Sequence, residues 1–253
     1  MSAAPVLSVS NLGKTFGGLK AVEGVGFSMA LGERRAIIGP NGAGKTTLFN
    51  MIAGEIEPTD GRIELFGRDV TALPTHRRAA LGLGRTFQIN TLFPNLTVLQ
   101  NMLLAVHGVL PTKLRMHRTI SSYGAQQDQA RTVLESVGLA GREGVFARTL
   151  SHGEQRQLEV GLALASSPRL LLLDEPAAGL SLAESQRLTA HLQRLDRSIT
   201  LLIIEHDMDV VFEITDRITV LHYGRMVADG TNDEVKANPL VAEIYLGTGD
   251  AQG

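Results

Sequence analysis

The chain has 253 residues, of which 43% are hydrophobic, enough to bury one large core or one core with a smaller lobe attached. Its 24 basic residues nearly balance 26 acidic ones, so no chain-wide positive field is available to hold nucleic acid or an anionic membrane surface. It contains no cysteine, which excludes a disulfide framework, thiol catalysis and cysteine-ligated zinc.

The apolar runs along the chain are short. The longest, Leu170 to Leu173 and Ile199 to Ile204, are the size of strands, whereas a membrane span needs about 18 uninterrupted apolar residues. The first ten residues show no basic segment followed by an apolar core, so no secretory signal is expected. Any membrane association is therefore predicted to come through a partner.

The first motif in chain order follows a predicted strand at Ala36 to Ile38. The segment from Gly39 to Thr46 matches the phosphate-loop pattern GxxxxGK(S/T), and a helical run from Thr46 to Ala53 comes next. Glycines let backbone N–H groups surround phosphate oxygens, and the helix N-terminus adds its positive end. Lys45 is expected to reach the terminal phosphates, and the Thr46 hydroxyl to ligate Mg²⁺. A glycine-rich turn without a ligand is the alternative.

Strand-like runs then give way to helix-forming residues, chiefly Leu96 to Val106 and Gln126 to Val137. The alternation of strands and helices elsewhere predicts an α/β layered core. We therefore predict a helical subdomain at 88–161, inserted into a core formed by 1–87 and 162–253.

One helix of this subdomain is predicted to begin at a capping box, in which Ser151 and Glu154 close the first turn. A purely structural cap is one interpretation. A helix N-terminus that carries serine and glycine is also an anion site, so the same turn can accept a phosphate supplied from outside.

Two later strands end in polar residues. Leu170 to Leu173 leads into Asp174 and Glu175, and Thr200 to Ile204 leads towards His206. Ligands of α/β sheets gather at the carboxyl ends of strands, so these side chains are expected beside the phosphate loop. Asp174 is then a Mg²⁺ ligand, Glu175 the general base that orients the attacking water, and His206 a hydrogen-bond partner of the γ-phosphate. Solvated acids and a structural histidine are the alternatives.

Taken in order, these elements resemble the ATP-binding-cassette nucleotide-binding domain over nearly the whole chain. The matching segments are Gly39 to Thr46 for the Walker A loop, Arg85-Thr86-Phe87-Gln88 for the Q-loop, Leu150 to Glu154 for the signature motif, Leu170 to Glu175 for Walker B, Ala178 to Ser181 for the D-loop and His206 for the switch histidine. The resemblance implies a P-loop NTPase core of mostly parallel sheet, with an antiparallel β subdomain and an inserted helical subdomain.

The resemblance also implies two cassettes arranged head to tail, with ATP held between Walker A of one and the signature helix of the other. The catalytic residues would be Glu175, His206 and Gln88. The Mg²⁺ ligands would be Thr46, Gln88 and Asp174. The residues that the resemblance assigns to ATP are Phe16, Gly39, Asn41, Gly42, Ala43, Gly44, Lys45, Thr46, Thr47, Ser151 and Gly153. Among them Phe16 would stack on adenine, while Ser151 and Gly153 would contact the γ-phosphate of ATP on the opposite cassette.

Three residues depart from the family pattern. The signature usually has glycine where His152 stands and glutamine where Glu154 stands, and the D-loop commonly ends in aspartate where Ser181 stands. A carboxylate near a phosphate is unfavourable, so Glu154 is expected to turn back and cap its own helix. Ser181 is expected to cap the following helix together with Glu184.

Within the family, the segments Arg85 to Gln88, Asp174 to Leu180 and Glu205 to Met208 resemble the ATPases of branched-chain and other hydrophobic amino acid importers. That resemblance implies a second cassette ATPase, identical or different, two integral-membrane permease subunits and, indirectly, a solute-binding protein, with no nucleic acid. It places the chain at the cytoplasmic face of the inner membrane. The energiser of a lipid exporter and a non-transport cassette ATPase remain alternatives, whereas a small-molecule kinase would not need the motif from Leu150 to Glu154.

A groove on the helical subdomain is expected to receive a helix of the membrane subunit. Leu92, Phe93 and Leu99 are the candidates to line it, and ordinary core packing of that subdomain is the alternative.

Overall fold

The computed structural model describes residues 4–86, 92–108 and 124–246. Gln88, predicted to act in catalysis and in metal binding, lies outside the described residues. Within the described ranges, no helix is long and apolar enough to cross a membrane.

The described residues contain ten strands and nine α-helices. The strands are β1 (Leu7–Phe16), β2 (Leu19–Met29), β3 (Arg34–Ile38), β4 (Asp60–Leu65), β5 (Arg68–Asp69), β6 (Leu83–Arg85), β7 (Leu170–Asp174), β8 (Thr200–Ile204), β9 (Arg217–His222) and β10 (Arg225–Thr231). The helices are α1 (Lys45–Ala53), α2 (Thr75–Ala80), α3 (Val98–Gly108), α4 (Gly124–Ser136), α5 (His152–Leu164), α6 (Leu182–Arg194), α7 (Met208–Ile214), α8 (Asn232–Lys236) and α9 (Pro239–Leu246).

The strands form two sheets. The larger has the order β10-β9-β3-β8-β7-β6, in which only the edge strand β10 runs antiparallel to its neighbour. The smaller, β2-β1-β4-β5, is antiparallel throughout. The predicted fold, a mostly parallel P-loop core with an antiparallel β subdomain, is confirmed.

The central strands are buried along their length because both faces of the larger sheet are covered. Alternate residues of β7 enter opposite cores: Leu171 and Leu173 pack with the helices of one side, and Leu170 and Leu172 pack towards α1 and the smaller sheet. The strands β3, β7 and β8 have five residues each, and all of these residues are buried. This packing fixes where the carboxyl ends of the three strands emerge.

Between β6 and β7 the described chain holds three α-helices, a short 3-10 helix at Ala147–Thr149 and no strand. α3 and α4 pack against each other and both contact α5, around a core that includes Met102 and Leu134. The predicted helices at 96–106 and 126–137 correspond to α3 and α4. The domain boundaries at 88–161 stay a prediction.

Candidate nucleotide-binding site

The phosphate loop joins β3 to α1 and depends on glycine at two of its positions. Gly39 and Gly44 have φ values of 148° and 97°, in the region that favours glycine. A Cβ atom at these positions would collide with the carbonyl oxygens of Leu221 and Ala21, respectively. The loop can therefore fold this close to its neighbours only with these glycines in place.

The N-terminus of α1 is left free for a ligand. Gly44 is its N-cap, and in the described chain no side chain caps this end and no acidic residue lies in its first turn. By contrast, α5, α6 and α8 all begin with a capping box. Because the unpaired N–H groups and the helix dipole both favour an anion, this end of α1 is suited to phosphate.

Lys45 lies buried beneath the loop. Its Nζ donates to the carbonyl oxygens of Gly39, at 2.7 Å, and Pro40, at 3.0 Å. Burial lowers the pKa of the Lys45 ammonium, while the nearby charges of Glu175 and Asp174 raise it. The ammonium is thus already positioned under the phosphate site, held by the loop that it serves.

A cleft of about 400 Å³ opens over the loop. The predicted ATP contacts from Asn41 to Thr47 line it, as does Glu175. Leu19 and Tyr223, which sequence reasoning missed, add an exposed apolar rim. Phe16 is 46% exposed and pairs across the β1–β2 hairpin with Leu19, but its ring is not among the side chains that line the cleft.

Asp174 ends β7 as a buried carboxylate. In the part of the chain that the structure describes, neither of its oxygens has a hydrogen-bond partner, and Nη2 of Arg85 lies 3.7 Å from Oδ2. Burial raises the pKa of the Asp174 carboxyl; the Arg85 charge lowers it and the Glu175 charge raises it further.

These orphaned oxygens suit a divalent cation. Mg²⁺ prefers one or two protein oxygens beside phosphate and water oxygens, and Asp174 with the Thr46 hydroxyl would supply that set. Within the described residues no group of three or more His, Cys, Asp or Glu side chains could hold a metal. Two protein oxygens, from Asp174 and Thr46, fit a cation that also binds phosphate and water oxygens.

Glu175 is held in a strained backbone conformation. Its φ of 46° is left-handed, which costs a non-glycine residue about 1–3 kcal/mol. Two contacts hold it: its N–H donates to the carbonyl oxygen of Ile204 at 2.9 Å, and Nη2 of Arg156 donates to its own carbonyl oxygen at 2.7 Å. The side chain lines the cleft over the loop.

His206 follows β8, and its side chain is 65% exposed. The preceding residue, Glu205, is almost fully buried and accepts hydrogen bonds from the N–H groups of Ala177, at 2.9 Å, and His206, at 3.1 Å. Burial raises the pKa of the Glu205 carboxyl, and these two hydrogen bonds lower it. Glu205 thus ties the ends of β7 and β8 together, a role that sequence reasoning missed.

The capping box predicted for α5 is present. The Ser151 hydroxyl accepts from the Glu154 N–H at 3.2 Å, and Glu154 Oε2 accepts from the Ser151 N–H at 2.9 Å. Glu154 therefore turns back onto its own helix, and its other oxygen pairs with Arg142 at 2.7 Å. The predicted box of Ser181 and Glu184 on α6 is also present.

Ser151 and Gly153 do not line the cleft over the phosphate loop. They line a second cavity, of about 420 Å³, together with Arg142 and Glu184. Within one chain the structure therefore separates the two groups of residues predicted to contact ATP. The assignment of two half-sites to each cassette stays a prediction.

Arg156, a further residue that sequence reasoning missed, joins α5 to the end of β7. Its Nε donates to the Pro176 carbonyl oxygen at 3.1 Å and its Nη2 to that of Glu175 at 2.7 Å, while Glu159 pairs with Nη1 at 2.7 Å. The signature helix therefore supports the backbone that carries the predicted base. Arg156 shows no distinctive spacing in the sequence, so only the fold reveals its role.

The sheet topology and the loop between β3 and α1 define a P-loop nucleotide-binding protein. The ABC transporter family model matches residues 22–178. The chain belongs to the ABC transporter family, in which it is an ATP-hydrolysing subunit.

Two curated relatives are similar over nearly their whole length. The high-affinity branched-chain amino acid transport ATP-binding protein BraF of Pseudomonas aeruginosa is 41% identical over 256 residues, covering 96% of this chain and 98% of the relative. The corresponding protein LivG of Escherichia coli is 42% identical over 250 residues, with the same coverage.

Solved structures give the same result. An ATP-binding cassette of an ABC transporter in its ADP conformation is 32% identical, with a TM-score of 0.85, covering 96% of this chain and 99% of that one. A dimeric bacterial ABC transporter cassette is 25% identical, with a TM-score of 0.75, covering 89% and 98%.

Proposed function

We propose that this ATPase subunit energises the import of branched-chain or other hydrophobic amino acids. The observation that carries the proposal is the identity of 41% to BraF and 42% to LivG over nearly whole chains, since both are named as branched-chain amino acid transport ATP-binding proteins. The subunit would work at the cytoplasmic face of the inner membrane, bound to two permease subunits that receive substrate from a solute-binding protein.

Within its own cleft, the chain would bind ATP over the phosphate loop, with Lys45 on the terminal phosphates and Phe16 beside the adenine. Glu175 would accept the proton of the attacking water, and His206 would hydrogen-bond the γ-phosphate. Mg²⁺, held by Asp174 and Thr46, would supply positive charge to offset the charge on the phosphates. Gln88 completes the predicted set, with a role in catalysis and as a metal ligand.

A second cassette would complete the site. Ser151 and Gly153 lie in their own cavity, away from the cleft of the same chain, so they would bind the γ-phosphate of ATP held by the partner cassette. The dimeric cassette among the similar structures supports a paired arrangement. A single subunit is therefore expected to hydrolyse ATP poorly.

Among the three candidates, Phe93 is the best placed to contact a permease helix, because it is 56% exposed in the turn that precedes α3. Asn101 holds the turn that presents it, accepting from the Phe93 N–H at 2.8 Å and donating to the Phe93 carbonyl oxygen at 3.1 Å. Leu92 and Leu99 are partly buried against the core, which matches the alternative of ordinary packing for those two. An exposed aromatic side chain on a fixed turn suits a groove-binding partner helix.

Purification from native membranes in mild detergent, followed by mass spectrometry, tests the proposal. The expected result is co-purification with two multispan permeases and a second cassette ATPase. A homodimer without membrane subunits, under conditions that keep a control transporter intact, would contradict the transport role and favour a non-transport cassette ATPase.

A further inference from the structure

The N-terminus of α5 is occupied by a carboxylate from another helix. The Gly153 N–H donates to Oε1 of Glu184 at 3.1 Å, and Glu184 belongs to the first turn of α6. The other oxygen, Oε2, accepts from the Ser181 N–H at 3.1 Å and from the Ser181 hydroxyl at 2.7 Å. One carboxylate therefore serves the first turns of two helices.

This contact depends on the residue type at position 153. A Cβ atom on Gly153 would lie 2.8 Å from both Cγ and Oε1 of Glu184, so a larger residue would displace the carboxylate. Hydrogen bonds from the Ser181 hydroxyl, the Ser181 N–H and the Gly153 N–H lower the pKa of Glu184. The group is therefore an anion at neutral pH, placed where the helix dipole favours an anion.

A second contact joins the same two segments. The His152 ring lies over Gly179 of the D-loop, where a Cβ atom would come within 3.2 Å of His152 Cε1. The first turn of α5 and the D-loop are thus packed against each other around the Glu184 carboxylate. His152 departs from the usual glycine of the signature motif, and this packing gives it a structural role.

The Gly153 N–H has two competing acceptors once a partner cassette supplies ATP. Under the proposed function it would donate to the γ-phosphate of that ATP, yet in this structure it donates to Glu184. One N–H cannot be fully bonded to both anions, and a carboxylate fixed at this turn repels an incoming phosphate. Glu184 can leave Gly153 without leaving Ser181, since Oε2 alone maintains the cap on α6.

We propose that Glu184 is an intramolecular gate on the signature helix: its carboxylate occupies the Gly153 anion site in the separated subunit, and the γ-phosphate must displace it for the cassettes to close. The inference rests on the proposed function, because it requires ATP from a partner cassette at this turn. As a consequence, the Glu184 carboxylate competes with ATP that binds across the interface and weakens that binding.

The test is Glu184→Gln in the assembled transporter, because glutamine keeps the capping-box pattern and removes the charge. Hydrogen bonds to a charged acceptor are roughly twice as strong as neutral ones, and the glutamine amide has one neutral acceptor oxygen where the carboxylate has two charged ones. We therefore expect the ATP concentration for half-maximal ATPase activity to fall by about threefold. Glu234→Gln is the matched control. Glu234 closes the same kind of capping box on α8 and lines neither cavity. The ATPase activity of the Glu234→Gln transporter should therefore depend on ATP concentration as that of the wild type does.

An unchanged or higher ATP requirement in the Glu184→Gln transporter would overturn the gate. Ser151→Ala separates this failure from failure of the proposed function, because it removes a hydroxyl assigned to the partner's γ-phosphate and leaves Glu184 in place. If Ser151→Ala, folded as judged by thermal unfolding, lowers the ATPase rate, the shared site is present and the result for Glu184→Gln decides on the gate alone. If Ser151→Ala hydrolyses ATP normally, the shared site and the gate are both wrong.

Discussion

Replacement of Asp174 by asparagine should make the nucleotide-free subunit more stable and abolish its ATPase activity. Asp174 is 3% exposed, neither of its carboxylate oxygens has a hydrogen-bond donor among the described residues, and its Oδ2 lies 3.7 Å from Nη2 of its ion-pair partner Arg85. Asparagine has nearly the same shape and no charge. The substitution therefore tests whether burial or the attraction of Arg85 dominates at this position.

The expected gain in stability follows from the cost of leaving a buried polar group unsatisfied, which is about 1–3 kcal/mol and more when the group is charged. Asparagine also leaves polar atoms unpaired, so the gain is only the difference between burying a charged group and burying a neutral one. We expect the free energy of unfolding to rise by about 1 kcal/mol. For a chain of this size that corresponds to an increase in Tm of about 2–4 °C.

The direction in which the stability difference changes with pH follows from the raised pKa of Asp174. The pKa of this carboxyl is higher in the folded state than in the unfolded state, so its protonation stabilises the fold. That stabilisation is complete below the pKa of the unfolded state and is lost as the pH rises through the pKa of the folded state. The stability difference between the variant and the wild type should therefore be largest at neutral pH and shrink in acid.

Thermal unfolding at neutral and acidic pH, with and without Mg-ATP, measures both effects. Mg-ATP should stabilise the wild type more than the variant, because the variant lacks a carboxylate ligand for the cation. If the nucleotide-free variant is less stable than the wild type at neutral pH, the attraction of Arg85 outweighs burial and the reasoning fails. Equal stabilisation of both proteins by Mg-ATP would refute the metal assignment.

Three further substitutions test other parts of the site. Lys45→Ala should greatly weaken ATP binding, measured by isothermal titration, because its charge meets the phosphates before any chemistry; unaltered affinity would contradict its role. Arg156→Met removes the charged donors to the carbonyl oxygens of Glu175 and Pro176, so urea unfolding should show a loss of about 2–3 kcal/mol and hydrolysis should slow. No change in either would mean that this contact is dispensable. Phe93→Asp should abolish uptake in cells and spare ATP binding, whereas normal uptake would remove Phe93 from the coupling surface.

The parts of the site that local sequence signals determine were predictable. The phosphate loop, the apolar strands before Asp174 and His206, and the capping boxes of α5 and α6 each depend on neighbouring residues along the chain. The start of α3 also had a local signal: Thr97 and Gln100 exchange backbone-to-side-chain hydrogen bonds, so the helix begins at Val98.

The smaller sheet was predictable only through the family resemblance. Its first strand, β1, breaks the alternation of buried and exposed residues, and its pairing with β2 shifts register between Val9 and Leu12 and again near Lys14. Bulges of this kind disrupt the period of two on which strand prediction depends. The same limitation does not affect β3 or β8, which are buried along their whole length.

The remaining site contacts were not predictable because they join distant parts of the chain. Glu205 meets Ala177 across 28 positions, Glu184 meets Gly153 across 31, and Arg156 meets Glu175 across 19. No local spacing marks such partners. They become visible only when the sheet brings the ends of β7 and β8 next to the first turns of α5 and α6.

Uptake of labelled leucine into proteoliposomes that contain the assembled transporter tests the central claim most directly. The wild type should accumulate leucine when its solute-binding protein and ATP are supplied on their proper sides. The Glu175→Gln variant should bind ATP and accumulate almost none, since it lacks the base that activates the attacking water. No leucine uptake by an active wild-type ATPase would contradict the proposed substrate class, and normal uptake by Glu175→Gln would contradict the assignment of the catalytic base.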